Sequence, residues 1–262
     1  MTRRFTILGC GSSGGVPRIG GHWGACDPAN PRNRRQRCSL LVEQDGPDGT
    51  TQVLIDTSPD MRNQLLDAEI SRLDGVVYTH AHADHVHGLD DLRMIVMNMR
   101  ARLPVWADAP TQADLEHRFG YAFVTPEGSD YPPILDLKSI DDSFSVDGPG
   151  GPIDFTPLEV AHGRINALGF RIGDVAYLPD VSSIPDAAWS GFQDLDLWIV
   201  DALRYTPHSS HAHLDQTLEW IAAAKPKQAV ITNMHVDIDY ATVAAELPEG
   251  VIPAHDGLTL TV

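Results

Sequence analysis

The segment Thr79-His80-Ala81-His82-Ala83-Asp84-His85 constrains this chain more than any other stretch. It places three imidazoles and a carboxylate within positions 80–85, directly after the apolar run Gly75-Val76-Val77-Tyr78. A buried polar side chain without a partner is costly, so an ordinary core strand does not end in this way. Imidazole is the commonest side-chain ligand of a divalent metal, and carboxylate is its frequent companion. The segment therefore reads as a strand that delivers four metal ligands to the rim of a cleft, against the alternative of a solvated His-rich loop.

Further ligand candidates follow other apolar runs. His162 comes after Leu158-Glu159-Val160-Ala161, Asp180 after Tyr177-Leu178-Pro179, and His235 after Val230-Ile231-Thr232-Asn233-Met234. Taken singly, each is a weak signal: a lone His after a strand is seldom a ligand, and an Asp before a turn is more often a cap.

The elements around these sites alternate. Strand signals cover residues 5–8, 38–42, 52–55, 75–78, 103–107, 153–158, 195–200, 228–231 and 258–262. Residues 170–172 and 175–178 flank Gly173-Asp174, a two-residue hairpin signal. Helical spacing appears at 61–66 after Ser58-Pro59-Asp60, at 88–99 and at 214–224. Met94, Met97 and Met99 read as core packing of the second of these helices. The Gly-, Pro- and Ser-rich stretches 124–133 and 141–152 read as surface loops. Two sheets between helix layers satisfy this pattern. A length of 262 residues suits a single domain spanning 1–262, with no linker or internal repeat.

The net charge of −17 argues against broad, charge-driven binding of nucleic acid. It does not exclude a small anionic substrate, because bound metal ions bring local positive charge. One basic run, Arg32-Asn33-Arg34-Arg35-Gln36-Arg37, is either a solvated loop face or a phosphate-facing cluster. No stretch approaches the roughly 20 apolar residues of a membrane span. The apolar part of Met1–Gly9 is too short for a signal segment, so a cytoplasmic location is expected. Cys10, Cys26 and Cys38 form no disulfide framework and read as small buried hydrophobes.

Read in order, His80-Ala81-His82-Ala83-Asp84-His85, His162, Asp180 and His235 resemble the metallo-β-lactamase superfamily, across nearly the whole chain. The resemblance implies an α/β (α+β) fold, a four-layer αββα sandwich with a two-metal site. By the same resemblance His80, His82 and His162 hold one ion, Asp84, His85 and His235 the other, and Asp180 bridges them. Some relatives place the last histidine directly after the Thr, where this chain has Asn233. Gly9-Cys10-Gly11-Ser12-Ser13-Gly14-Gly15-Val16-Pro17, the run 33–39 and Asp256-Gly257-Leu258 are similar to a narrower branch. That branch contains the phosphoribosyl cyclic phosphodiesterase of the carbon–phosphorus lyase pathway. It is more distantly related to tRNA 3′-processing ribonuclease and to cyclic-nucleotide phosphodiesterases. A Rossmann reading of the glycine run fails, because Pro17 intervenes and no helix signal follows. The run reads instead as a cleft wall, with Ser13 a candidate substrate contact. Members of the branch can carry a structural zinc; here only Cys26, with His22 nearby, could contribute, and a closed site needs four ligands.

The activity so implied is that of a phosphoric diester hydrolase with two divalent ions, Zn or Mn. It would cleave a small cyclic or nucleotide-like phosphodiester with a metal-bridging hydroxide. His211, in the run 205–214, matches the family position that contacts phosphate and acts as acid, and Asp84 belongs to the same catalytic centre. His213 is a second candidate substrate contact, and His208 a surface histidine. Alternatives on the same fold are a tRNA-processing-type nuclease, an acyl or thioester hydrolase, and a non-catalytic nucleotide-binding module. The oligomeric state is left open, a homodimer included.

Overall fold

The computed structural model describes residues 2–262. The chain groups into two compact units, each gathered from separate stretches. The first takes the chain up to Leu8, Ser39–Asp154 and Thr259–Thr261; the second takes Gly9–Cys38, Phe155–Leu258 and Val262.

The first sheet contains β1 (Arg3–Gly9), β2 (Ser39–Gly46), β3 (Gly49–Ile55), β4 (Gly75–Val77), β5 (Leu103–Ala107), β6 (Leu135–Ser139) and β14 (Leu258–Thr261), in the order β14-β1-β2-β3-β4-β5-β6. β2 and β3 pair antiparallel, whereas β3, β4, β5 and β6 pair parallel. Parallel strands are covered on both faces and so read as unbroken apolar runs. β4 is buried at each of its positions, which is why Gly75-Val76-Val77 shows no alternation. Helices α1 (Met61–Asp67), α2 (Ala83–Val86), α3 (Leu92–Met99) and α4 (Ala109–Phe123) belong to this unit, whose core includes Leu54, Leu65, Val76, Leu92, Val105 and Leu115.

The second sheet contains β7 (Phe144–Val146), β8 (Ile153–His162), β9 (Ile165–Ile172), β10 (Val175–Leu178), β11 (Leu197–Asp201), β12 (Gln228–Thr232) and β13 (Val251–Pro253), in the order β13-β12-β11-β10-β9-β8-β7. It repeats the logic of the first. β8, β9 and β10 pair antiparallel, and β10, β11, β12 and β13 pair parallel. The hairpin at Gly173-Asp174 lies where its turn signal put it, joining Ile172 to Val175. Helices α5 (Asp186–Trp189), α6 (Leu214–Ala224) and α7 (Tyr240–Glu246) belong to the second unit, where Trp198 is fully buried against the stacked Phe192 ring.

Three readings need correction. Met94 and Met97 are 57 % and 62 % exposed, so α3 turns them outward, and only Met99 packs on the core. The stretch read as a loop over 141–152 contains β7, too short to register as a strand pattern. Helix α4 was not anticipated, although Asp108 caps it by accepting from the Thr111 N–H and Pro110 stands in its first turn. Among the described residues no helix is long and apolar enough to cross a membrane.

Candidate functional site

In each unit most of the polar residues of interest sit at or just past the carboxyl ends of strands, the usual place for ligand chemistry in α/β sheets; His162 closes the antiparallel strand β8. In the first unit the chain leaves β3 at Asp56 and leaves β4 into residues 78–85. Asp56 is fully buried and adopts a left-handed φ of 64°, an uncommon conformation for a residue with a side chain. Its carboxylate accepts from the Thr79 N–H and the Thr79 hydroxyl, each at 2.8 Å, and from His85 Nδ1 at 2.7 Å. Burial raises its pKa, opposed by His85 and by the two Thr79 donors. The Thr79 hydroxyl proton is used on Asp56, so its oxygen accepts from His80 Nδ1 at 2.9 Å.

The consequence is a fixed tautomer. With Nδ1 protonated toward an oxygen, the Nε2 atoms of His80 and His85 carry the ligating lone pair. His80 Nε2 lies 3.0 Å from His82 Nδ1, and His85 Nε2 lies 3.6 Å from Asp84 Oδ2. The His80 and His85 rings are 4.3 Å apart between centroids. One short segment thus presents two donor pairs. Its far end is held by Gly88, whose N–H donates to Thr57 O at 2.9 Å; a side chain there would meet Ser58 O at 2.1 Å.

The second unit assembles its set from distant positions. His162 ends β8 in phase with the buried Leu158 and Val160, so strand alternation turns it inward. Its Nδ1 donates to Ser210 O at 2.6 Å, again fixing Nε2 as the ligating atom, and Nε2 lies 3.3 Å from Asp180 Oδ2. Asp180 follows β10 and is 3 % exposed. Asn233 follows β12 with φ 59°, and its amide donates to Pro179 O at 3.0 Å and to Asp180 Oδ1 at 3.1 Å. The asparagine in place of the expected histidine therefore orients a carboxylate. His211 sits beside this pair, its ring 4.6 Å from that of His162 and its Nδ1 3.9 Å from Asp180 Oδ2. Nδ1 of His211 donates to Asp201 Oδ2 at 3.0 Å. Asp201 ends β11, is fully buried, and also accepts from the Val181 N–H at 3.2 Å, while its Oδ1 has no hydrogen-bond partner. Burial pushes the Asp201 carboxyl up to about 7, His211 opposing and Asp180 adding to the rise.

The remaining sequence candidates fall around this set. His235 is partly exposed, with Nδ1 2.9 Å from Asp237 Oδ2 and Nε2 contacted by the Arg18 guanidinium. Its pKa is lowered, by burial first. His213 occupies the N-cap of α6, and Ser13 is exposed. His208 hydrogen-bonds with the Ser210 hydroxyl at 3.2 Å through Nδ1. Cys26 turns its thiol onto Val236 O and Ile238 O while His22 is exposed, so Cys26 packs as a small hydrophobe; Cys10 and Cys38 are likewise buried and free. The basic run is divided. Arg35 is 2 % exposed and donates to His235 O, whereas Arg32 and Arg34 lie over the Tyr240 and Trp23 rings. Asp256 ties the N-terminal loop, accepting from the Cys10 N–H at 3.1 Å and the Gln36 N–H at 2.7 Å; burial pushes its carboxyl up to about 7.

Sequence reasoning missed Asp56 and Asp201. Both carry the signal that marked Asp180, a carboxylate at the end of an apolar strand run. The donor sets fit a divalent cation: ring nitrogens locked in the ligating tautomer, carboxylates beside them, and oxygens behind them holding the rings.

The chain matches the family model described as a Beta-lactamase superfamily domain over residues 51–234. It is 34% identical over 262 residues to an octanoyltransferase of Porphyromonas gingivalis, covering 97% of this chain and 51% of that protein. The chain therefore spans about half the length of that relative. Among solved structures it is similar to a diphosphatase from the PhnP family, at a TM-score of 0.89 and 37% identity, covering 100% of this chain and 98% of that one. Zn²⁺-bound PqqB from Methylobacterium extorquens shares the fold, at a TM-score of 0.72 and 18% identity, covering 98% and 99%.

Proposed function

This chain belongs to the beta-lactamase superfamily, and we propose that it works as a divalent-metal hydrolase of small phosphodiesters, cyclic or nucleotide-like. The family carries a metallo-β-lactamase-type hydrolase fold, and the two mixed sheets with their helices fit that class. In this reading, which the family resemblance implies, His80, His82 and His162 would hold one ion. Asp84, His85 and His235 hold a second, with Asp180 shared. Zinc and manganese both suit such nitrogen and oxygen donors. Ions bound there would polarise a phosphoryl oxygen and acidify a water near neutral pH.

The observation that carries the phosphoester assignment is His211. Its Nδ1 is engaged by Asp201, so Nε2 is the nitrogen able to hand a proton to a leaving alkoxide. Its ring lies beside His162 and Asp180, which supports such a role. Asp201 holds the ring in one tautomer and supports its charged form. The 37% identity to a PhnP-family diphosphatase supports phosphorus as the centre attacked. His213 and Ser13 are then substrate contacts. The charge of −17 favours a small substrate over a polynucleotide.

The purified chain is expected to hydrolyse bis(p-nitrophenyl) phosphate only when loaded with Mn²⁺ or Zn²⁺, and His80→Ala is expected to lose more than about 100-fold of that rate. Full activity in the metal-free protein overturns the reading. A second reading, cleavage of an acyl or thioester substrate, draws on the octanoyltransferase relative, of which this chain spans about half. Turnover of an octanoyl thioester without any phosphodiester turnover would favour it.

A further inference from the structure

The proposed ligands are not equally held. His80, His162 and Asp180 are 1 %, 2 % and 3 % exposed, whereas His82 is exposed. Burial therefore holds three of them, and His82 stands on a more exposed stretch of chain. On its C-terminal side, His82 O accepts from the His85 and Val86 N–H groups at 3.0 and 3.2 Å, at the start of α2. On its N-terminal side, the carbonyl of Ala81 accepts from Arg118 Nη1 at 2.6 Å. That bond crosses 37 residues, from the last turns of α4 to the peptide between His80 and His82.

The end of α4 is shaped for this contact. Its backbone leaves helical geometry at Phe119 (φ −130°, ψ 28°), one residue before Gly120, a site where helices bend readily. Beyond the bend, Phe119 meets the His87 ring edge-on at 5.9 Å and the Tyr121 hydroxyl donates to Asp90 at 2.9 Å. Arg118 is itself steadied by Asp114, 3.2 Å away and one turn earlier. A guanidinium donating to a carbonyl is a charge-assisted bond, stronger than one between neutral groups.

We infer that Arg118 is a positioning residue for metal binding: it fixes the Ala81 carbonyl and thereby holds the His80–His82 donor pair at its 3.0 Å separation. The inference rests on the metal-binding reading above. Arg118 acts through the backbone, by preventing rotation of the peptide that carries His82. Losing it leaves the ligands in place but no longer paired in advance, so an incoming ion must order them.

The test is calorimetric titration of Zn²⁺ into the metal-free chain. Arg118→Met keeps the stem and removes the donors; its affinity should fall about 10- to 100-fold, the range for groups that orient metal ligands. Arg118→Lys, which can still donate to Ala81 O, should recover part of the loss, and the thermal midpoint of metal-free Arg118→Met should stay near that of the parent. Tyr121→Phe removes the neighbouring contact to Asp90 and should bind Zn²⁺ like the parent. Wild-type affinity in Arg118→Met, or an equal loss in Tyr121→Phe, overturns the inference. His82→Ala separates the two levels: if it too binds Zn²⁺ normally, the metal-binding reading itself falls. If His82→Ala loses the ion while Arg118→Met does not, only the role of Arg118 falls.

Discussion

Two buried aspartates do the same local job in the two units, and they are built differently. Asp56 and Asp201 each end a strand and each accept the Nδ1 proton of a histidine, at 2.7 Å from His85 and 3.0 Å from His211. Asp56 has donors on both carboxylate oxygens, two from Thr79 and one from the ring. Asp201 has donors only on Oδ2, and its buried Oδ1 is left without a partner. A fully bonded carboxylate locks a ring in place, while a half-bonded one leaves capacity for the charge that appears when its histidine is protonated. The contrast suits a ligand in the first unit and a proton donor in the second.

The two roles separate experimentally. Asp201→Asn should slow hydrolysis of an alkyl phosphodiester by about 10²- to 10⁴-fold, the usual worth of a positioned acid, because His211 loses its support. The same variant should barely affect bis(p-nitrophenyl) phosphate, whose leaving group needs no proton, and its metal content should match the parent. Asp56→Asn should instead lower metal affinity by about 10- to 100-fold and slow both substrates equally. Matching metal losses in the two variants would break the contrast; opposite patterns would sharpen it.

The smallest effect concerns Asp256, a partly buried carboxylate outside the proposed ligand set. Asp256 has its pKa raised from 3.8 to about 7, chiefly by burial. The folded chain then holds this proton more tightly than the unfolded one, so its contribution is fully present at low pH and fades as pH rises through about 7. The metal-free parent should lose a few degrees of thermal midpoint between about pH 5 and about pH 8, and Asp256→Asn should flatten that decline. A decline of the same slope in the variant would assign the pH dependence to other groups.

The legibility of the site followed the spacing of its residues. His80, His82, Asp84 and His85 lie on one short segment, so their clustering is visible without a fold. His162, Asp180 and His211 lie far apart in the sequence, and only their order along the chain, read through a family resemblance, joined them. Asp56 and Asp201 escaped notice because a lone carboxylate after a strand looks like a cap. Asn233 looked like a departure from pattern until its amide was found on Asp180. The strand runs were legible because parallel strands are continuously apolar. α4 was not, because its apolar spacing is interrupted by Gly120 and its exposed face is mixed. The exposure of Met94 and Met97 was misjudged because apolar character reports what a side chain tolerates, not which way its helix is turned.

Sequence by itself determined the residue types, the strand-like runs that end in them, and the charge that disfavours a polyanionic partner. Those are local properties, set by composition and by spacing along the chain. Only the tertiary structure decided which oxygen stands behind each imidazole, and hence which ring nitrogen is left to ligate. That choice depends on hydrogen bonds such as His85 to Asp56, 29 residues apart, and His162 to Ser210, 48 residues apart. It also decided that Arg118 meets the Ala81 carbonyl, a contact between groups whose positions in the sequence carry no sign of each other.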